Sequence, residues 1–311
     1  MLRTGVSTVD LGKVRNKLLP MSNSQDFCFI RSMDFPDGEI LPRSQIRISP
    51  DDRGFYFADG VYEVMRTYSG KIFRQSEHLK RFEKSLSAVR INVPDIERIG
   101  PICEEFLHLN NLQGKDVFFY IQATRGVWQR SLVFPPAGVI PTLYISVTEI
   151  VAPVAEQENG IRAITVEDIR WQRCDIKAIG LLPSVLARNQ ATEAGAEEAI
   201  FVRNGLLTEG THTNLFAVKD GVVFTHPLNN YILPGITRTV VLELCNFIGL
   251  EVNEEAIELG RLGEFDELFV TSTTYEVVPV VVVNGQKIRD GKPGEITRRL
   301  QGAFRDYIAR G

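Results

Sequence analysis

Three dipeptides constrain this chain more than anything else in it: Asn204-Gly205, Asp220-Gly221 and Asn284-Gly285, each set between β-prone runs. A two-residue type I′ hairpin needs positive φ at both central residues, which Asn or Asp followed by Gly adopts at little cost. Three such turns predict antiparallel ribbons through the C-terminal half. Helical spacing is interleaved with them. Leu79, Phe82, Leu86 and Val89 step by three, four and three, which predicts a helix from an N-cap at Ser76 through Val89. Ile96, Ile99, Cys103 and Phe106 mark the inner face of a second helix over Asp95–Leu109. Further helices are expected over Leu182–Ala194, from near Thr237 to Ile248, and over Glu295–Ala309. Strands are expected at Val61–Tyr68, at Lys71–Phe73 after a tight Ser69-Gly70 turn, and at Val117–Thr124 and Thr142–Ile150. Ile161–Glu167, Glu198–Arg203, Leu268–Thr271 and Val277–Val283 complete the set. Strands and helices mix in both halves, so the fold class is mixed α/β. No internal repeat and no low-complexity tract interrupts it.

At 311 residues the chain is long enough for one large domain or two ordinary ones, and 44% hydrophobic residues can fill a sizeable core. Val151–Gly160 is polar, holds a proline and has no period, and is the expected linker. The expected organisation is a flexible leader over 1–25, a smaller N-terminal α/β domain over 26–150, a linker over 151–160 and a larger domain over 161–311. The leader carries Arg3, Lys13, Arg15 and Lys17 without the apolar centre of a secretory signal. A start at Met21 and a transit peptide are the other readings of that segment. A net charge of −4 excludes bulk attraction to nucleic acid, and no apolar run approaches the ~18 residues of a membrane span. Cys28, Cys103, Cys174 and Cys245 lie far apart, giving neither a zinc pattern nor a disulfide framework. Free thiols in a reducing, cytoplasmic setting are expected.

Three places can carry chemistry. In Leu233-Pro234-Gly235-Ile236-Thr237-Arg238 a glycine turns the chain and a threonine opens a helix. Free N–H groups and the positive end of the helix dipole favour a phosphate there; an ordinary N-cap is the other reading. Lys177, in Cys174-Asp175-Ile176-Lys177-Ala178, is either a desolvated amine suited to Schiff-base chemistry or a surface lysine with a buried stem. Glu209, in Thr208-Glu209-Gly210-Thr211-His212-Thr213-Asn214, either holds a protonated ring nitrogen or is a satisfied loop acid.

Taken together, Glu209, Thr211, Asn214-Leu215-Phe216, Thr225 and Leu233 to Arg238 resemble the signature of the class IV pyridoxal-phosphate aminotransferases. Asp59-Gly60-Val61-Tyr62-Glu63-Val64 and Glu77-His78-Leu79-Lys80-Arg81 are similar to the family's N-terminal motifs, and the likeness runs from about Asp51 to Phe304. Val166 to Trp171, Arg173 to Lys177, Thr225-His226-Pro227 and Glu267 to Thr274 most resemble the D-amino-acid aminotransferases.

The resemblance implies the two-domain fold of fold-type IV, with pyridoxal 5′-phosphate in the cleft between the domains, and a homodimer. It implies that Lys177 is the Schiff-base lysine and general base, and that Glu209 pairs with the pyridine nitrogen. Arg81, Ile236, Thr237 and Thr273 would bind the phosphate, and Leu233 would pack on the ring. Tyr62 would lie near the substrate carboxylate. Arg130 falls where the D-specific enzymes bind the substrate α-carboxylate, although a solvated loop arginine is the plain reading. Where those enzymes have a histidine two residues on, this chain has Leu132. Half of the carboxylate clamp is therefore absent, and a more apolar pocket would suit hydrophobic side chains or amines without a carboxylate. The implied reaction moves the amino group of a D-amino acid to a 2-oxo acid such as 2-oxoglutarate. The alternatives are a branched-chain L-aminotransferase, an (R)-selective amine transaminase, aminodeoxychorismate lyase, and a non-catalytic binding or regulatory protein.

Overall fold

The computed structural model describes residues 26–310; the leader expected over 1–25 lies outside them. The chain opens with β1 (Phe27–Arg31) and β2 (Glu39–Pro42), followed by the short helix α1 (Arg53–Phe57). Next come β3 (Gly60–Tyr68), β4 (Lys71–Ile72), α2 (Gln75–Ala88), α3 (Ile99–Leu109), β5 (Val117–Thr124) and β6 (Leu143–Glu149). These six strands form one sheet in the order β2-β1-β6-β5-β3-β4. Phe82 and Leu86 of α2 and Cys103 and Phe106 of α3 pack with Met65, Phe119 and Ile121 of the sheet in one core.

The second half holds α4 (Val154–Asn159), β7 (Ile161–Glu167), α5 (Leu182–Glu193), β8 (Glu198–Arg203), β9 (Leu206–Gly210), β10 (Asn214–Lys219) and β11 (Val222–Thr225). Then follow α6 (Ile236–Phe247), β12 (Val252–Asn253), β13 (Ile257–Glu258), β14 (Glu267–Ser272), β15 (Glu276–Val283), β16 (Gln286–Lys287) and α7 (Glu295–Arg310). The sheet runs β12-β11-β10-β14-β15-β7-β8-β9-β13, and a further pairing of β9 with β10 closes six of these strands into a ring. β7 lies parallel to both β8 and β15. Alternation along each strand sorts the side chains. Leu215, Leu268, Val270, Val278 and Ile200 fill the interior, while Phe216, Phe269 and Val277 face α6 and α7 outside. Phe216 and Phe269 stack with centroids 4.8 Å apart.

All three predicted hairpin turns form, joining β8–β9, β10–β11 and β15–β16 with positive φ at both central residues. Ser76 is not the cap of α2. Arg74 occupies that position in the left-handed region and Ser76 sits inside the first turn. The expected helix from Asp95 begins as a single tight turn, Ile96–Arg98, before α3. The polar stretch 151–160, through which the chain passes from β6 to β7, carries α4. Gln157 of α4 bonds Tyr275 and Glu276, and its carbonyl accepts from Arg298 and Gln301, so contacts from β15 and α7 order a segment with no periodic signal of its own. The strands β1 and β2 and the helix α1 had no distinct sequence signal.

Candidate active site

Residues of the first sheet and of the strand ring meet around a cavity of about 360 Å³. Phe57, Ala58 and Tyr62 line it from one side; Lys177, Glu209, His212, Asn214 and Leu233 line it from the other.

The segment carrying Lys177 is held to β3 by backbone pairing. Tyr62 N–H donates to the Lys177 carbonyl at 2.9 Å, Ile179 N–H donates to the Gly60 carbonyl at 3.1 Å, and Val61 bridges Ala178. Gly60 permits this approach, because a Cβ there would lie 2.9 Å from Ile179 Cδ1, and also 2.5 Å from the Ala123 carbonyl oxygen on β5. The Lys177 ammonium consequently sits 4.2 Å from the centre of the Tyr62 ring. Lys177 is thus an amine at a cavity wall rather than a lysine spread over the surface.

Glu209 sits where the ring of strands closes, opposite Asn214 in register. Arg170 Nη1 donates to its Oε1 at 2.6 Å, and Leu233 N–H and Asn214 Nδ2 donate to its Oε2 at 2.9 and 3.1 Å. Burial nevertheless pushes the Glu209 carboxyl above its ordinary range, with Arg170 and the Leu233 amide opposing that shift. Arg170 is shared, since it also pairs with Asp168, itself bound by Arg203. Asn214 Nδ2 also reaches the Leu233 carbonyl at 2.9 Å. Gly235 lies so close that a Cβ would stand 2.0 Å from Asn214 Oδ1.

Two residues beyond Leu233, α6 begins with Gly235 as N-cap and no side-chain cap, so the first-turn amides are open. Thr237 is buried in that turn and is not the capping residue. Arg81 stands beside it and donates from Nη1 to the Pro234 carbonyl at 3.1 Å. Two further donors grip buried Glu63, Nε to Oε2 at 2.9 Å and Nη2 to Oε1 at 2.6 Å, which leaves one N–H on each terminal nitrogen. On β14 the Thr271 hydroxyl is buried without a hydrogen-bond partner among the described residues. An uncapped helix start, a fixed guanidinium and an orphaned hydroxyl fit an anionic group, and an amine with a buried carboxylate in the adjoining cavity fits an aldehyde bearing a basic ring nitrogen.

Of the residues singled out in the sequence, Tyr62, Lys177, Glu209 and Leu233 line the cavity. Arg81, Ile236 and Thr237 stand at the adjoining helix start, and Thr273 lies in the turn after β14, outside the lining residues. Arg130 is exposed, its guanidinium 5.5 Å from the ring centre of Phe57, a lining residue. Leu132, the place of the missing histidine, is 86% exposed. Sequence reasoning missed Glu63, Arg170 and His212. Each lies inside or beside a quoted motif, but a charged residue in a motif does not name its partner. A larger apolar groove, about 1050 Å³ between the β3–β4 hairpin and the ends of α6 and α7, brings together no such amine and buried acid.

The sequence model of the amino-transferase class IV family matches residues 60–283. The D-alanine aminotransferase of Staphylococcus haemolyticus is 42% identical over 275 residues, covering 88% of this chain and 97% of that protein. That of Bacillus licheniformis is 41% identical over 273 residues, covering 88% of this chain and 95% of that protein. Among solved structures, the branched-chain amino acid aminotransferase of Escherichia coli superposes with a TM-score of 0.83 at 28% identity, covering 91% of this chain and 95% of that one.

Proposed function

The chain belongs to the class IV aminotransferases, and on that premise we propose that it is a pyridoxal-phosphate-dependent transaminase that moves the amino group of a D-amino acid, D-alanine foremost, to a 2-oxo acid such as 2-oxoglutarate. The observation that carries this reading is one cavity with the Lys177 amine and the buried Glu209 carboxylate in its walls, beside the open start of α6. Lys177 would hold the cofactor's aldehyde, Glu209 the proton of its ring nitrogen, and Arg81, Ile236, Thr237 and Thr273 its phosphate, with Leu233 against the ring. When bound, the cofactor supplies an electron-accepting ring that makes the substrate Cα–H acidic.

The protein's own part is positioning and proton handling. Lys177 Nζ takes the proton from the substrate Cα and would pass it to the carbon that the cofactor's aldehyde contributes. Tyr62 confines that amine to one side of the cavity. Arg170 keeps Glu209 anionic enough to retain a proton partner while burial keeps it basic enough to want one. Glu63 fixes Arg81 before any phosphate arrives, so little ordering is left to do on binding.

The reading includes a homodimer. Phe55, Leu132, Val133, Leu182, Val185 and Leu186 are exposed apolar residues on α1, the 130–134 loop and α5. All three segments border the cavity: Arg53 of α1 holds the carbonyl of Ser131, Phe57 and Ala58 line the cavity beside it, and Leu181 and Pro183 line it at the start of α5. A second copy over this face would close the mouth beside Arg130, which we assign to the substrate α-carboxylate. We read the enzyme as cytoplasmic.

The decisive test is a panel of D- and L-amino acids with 2-oxoglutarate. D-alanine turnover supports the reading; turnover of branched-chain L-substrates alone overturns it. Borohydride reduction followed by peptide mapping should label Lys177.

A further inference from the structure

His212 is a histidine in the cavity wall that no role assigned so far uses. Its side chain is 41% exposed, and Nδ1 lies 3.2 Å from Thr211 Oγ1 and 3.4 Å from an oxygen of Glu198. The Thr211 hydroxyl gives its one proton to Glu198 at 2.5 Å. Neither neighbour can therefore donate to Nδ1, so the ring's proton sits on Nδ1. Nε2 is left without a partner among the described residues.

The support behind the ring is rigid. Glu198 is fully buried and also accepts from the Thr211 amide at 3.1 Å and the Thr213 hydroxyl at 3.1 Å, with Arg188 3.5 Å away. Tyr275 meets the imidazole edge-on at 5.1 Å between centroids. Gly210 makes room for this knot, since a Cβ there would lie 2.1 Å from Thr213 Oγ1.

The lining residues that can carry positive charge are Arg170, Lys177 and His212. Arg170 is committed to Asp168 and Glu209. On the proposed function Lys177 is committed to the cofactor, and Arg130 at the Phe57 rim takes the α-carboxylate. His212 lies on a different wall, in the β9–β10 turn of the strand ring. We propose that His212 is the substrate-binding residue that recognises the side-chain carboxylate of a dicarboxylic amino acid or 2-oxo acid, with the Thr211 hydroxyl, itself bonded to Glu198, accepting its Nδ1–H. This inference rests on the transaminase reading and specifies its substrate class.

Burial lowers the basicity of the free ring, Glu198 on β8 opposes that, and Arg188 on α5 and Lys177 across the cavity reinforce it; Tyr275 in the β14–β15 turn is the other titratable neighbour. The empty ring therefore takes a second proton less readily than a free imidazole. A carboxylate at Nε2 draws a proton onto it, so dicarboxylate binding takes up a proton and weakens as pH rises.

The test compares 2-oxoglutarate with 2-oxopentanoate as acceptors in wild type, His212→Gln and His212→Asn, with thermal midpoints confirming the fold. The two acceptors share the α-carboxylate and differ in the distal one. A charge-assisted hydrogen bond corresponds to a loss of about tenfold or more in the kcat/KM ratio of 2-oxoglutarate to 2-oxopentanoate. An equal fall for both acceptors, or an unchanged ratio, overturns the proposal. Independently, calorimetry on the pyridoxal-phosphate-loaded enzyme should show glutarate binding more tightly than pentanoate, with proton uptake, and the variants should lose both differences. Equal affinities in wild type also overturn it. Absence of D-amino acid turnover in wild type would instead remove the transaminase reading, and the glutarate measurement would still decide the role of His212.

Discussion

Glu63 and Glu209 are both buried carboxylates with an arginine against them, one at each end of the site, and their acidities move in opposite directions. Burial works against ionisation in both. At Glu63 it is overcome by Arg81, which grips both oxygens, and by His78 Nδ1 at 3.0 Å, so the acid stays well below the usual carboxylate range. At Glu209 burial wins. Its arginine is shared with Asp168, and that second carboxylate pushes in the same direction as burial. The difference separates scaffold from site. Glu63 has its charge met within the protein and serves to aim Arg81. Glu209 is left short of positive charge, which is the condition for holding a proton on a ligand's nitrogen.

The largest expected effect breaks the scaffold side. Glu63→Gln leaves Arg81 buried without a carboxylate, which costs about 3–5 kcal/mol of stability, measurable by urea denaturation. Glu209→Gln should instead spare stability, because Arg170 keeps Asp168, while lowering the rate of the amino-transfer half-reaction by roughly 100-fold, or about 2.7 kcal/mol; single-turnover kinetics would show it. If both substitutions cost stability equally, the contrast between them is lost.

The pH dependence sharpens the same contrast. Glu63, with a depressed folded pKa, contributes stability that is present above the ordinary carboxylate range and lost as pH falls toward the folded value. Glu209, with a raised folded pKa, binds its proton more tightly when folded, so its contribution declines as pH rises from the ordinary carboxylate value through the raised one. Denaturation midpoints across pH should lose the first component in Glu63→Gln and the second in Glu209→Gln. The smallest effect is at Asn214→Ala, which removes one bond to Glu209 and one to the Leu233 carbonyl. It should cost about 1 kcal/mol and raise the Glu209 pKa further, seen as a shift in the pH profile of single-turnover rates.

Local sequence determined a large part of this molecule. The three Asn-Gly and Asp-Gly turns form where expected, because the positive φ they need is a property of two adjacent residues. The buried face of α2 follows from spacing alone, since Phe82 and Leu86 fall one turn apart. Lys177 and Glu209 were also legible as a pair of residue types in recognisable surroundings.

Tertiary structure decided what those residues can do. Arg170 meets Glu209 across 39 positions of chain, and Glu209 faces Asn214 only because the strand ring closes there. Arg81 lies 18 positions from the acid that aims it and 153 from the carbonyl it touches. His212 became a candidate ligand only when Glu198, 14 positions earlier, came to lie behind its ring. Turns and helix faces are set by interactions between near neighbours, whereas burial, charge compensation and a free nitrogen in a cavity depend on which distant segments the fold presses together.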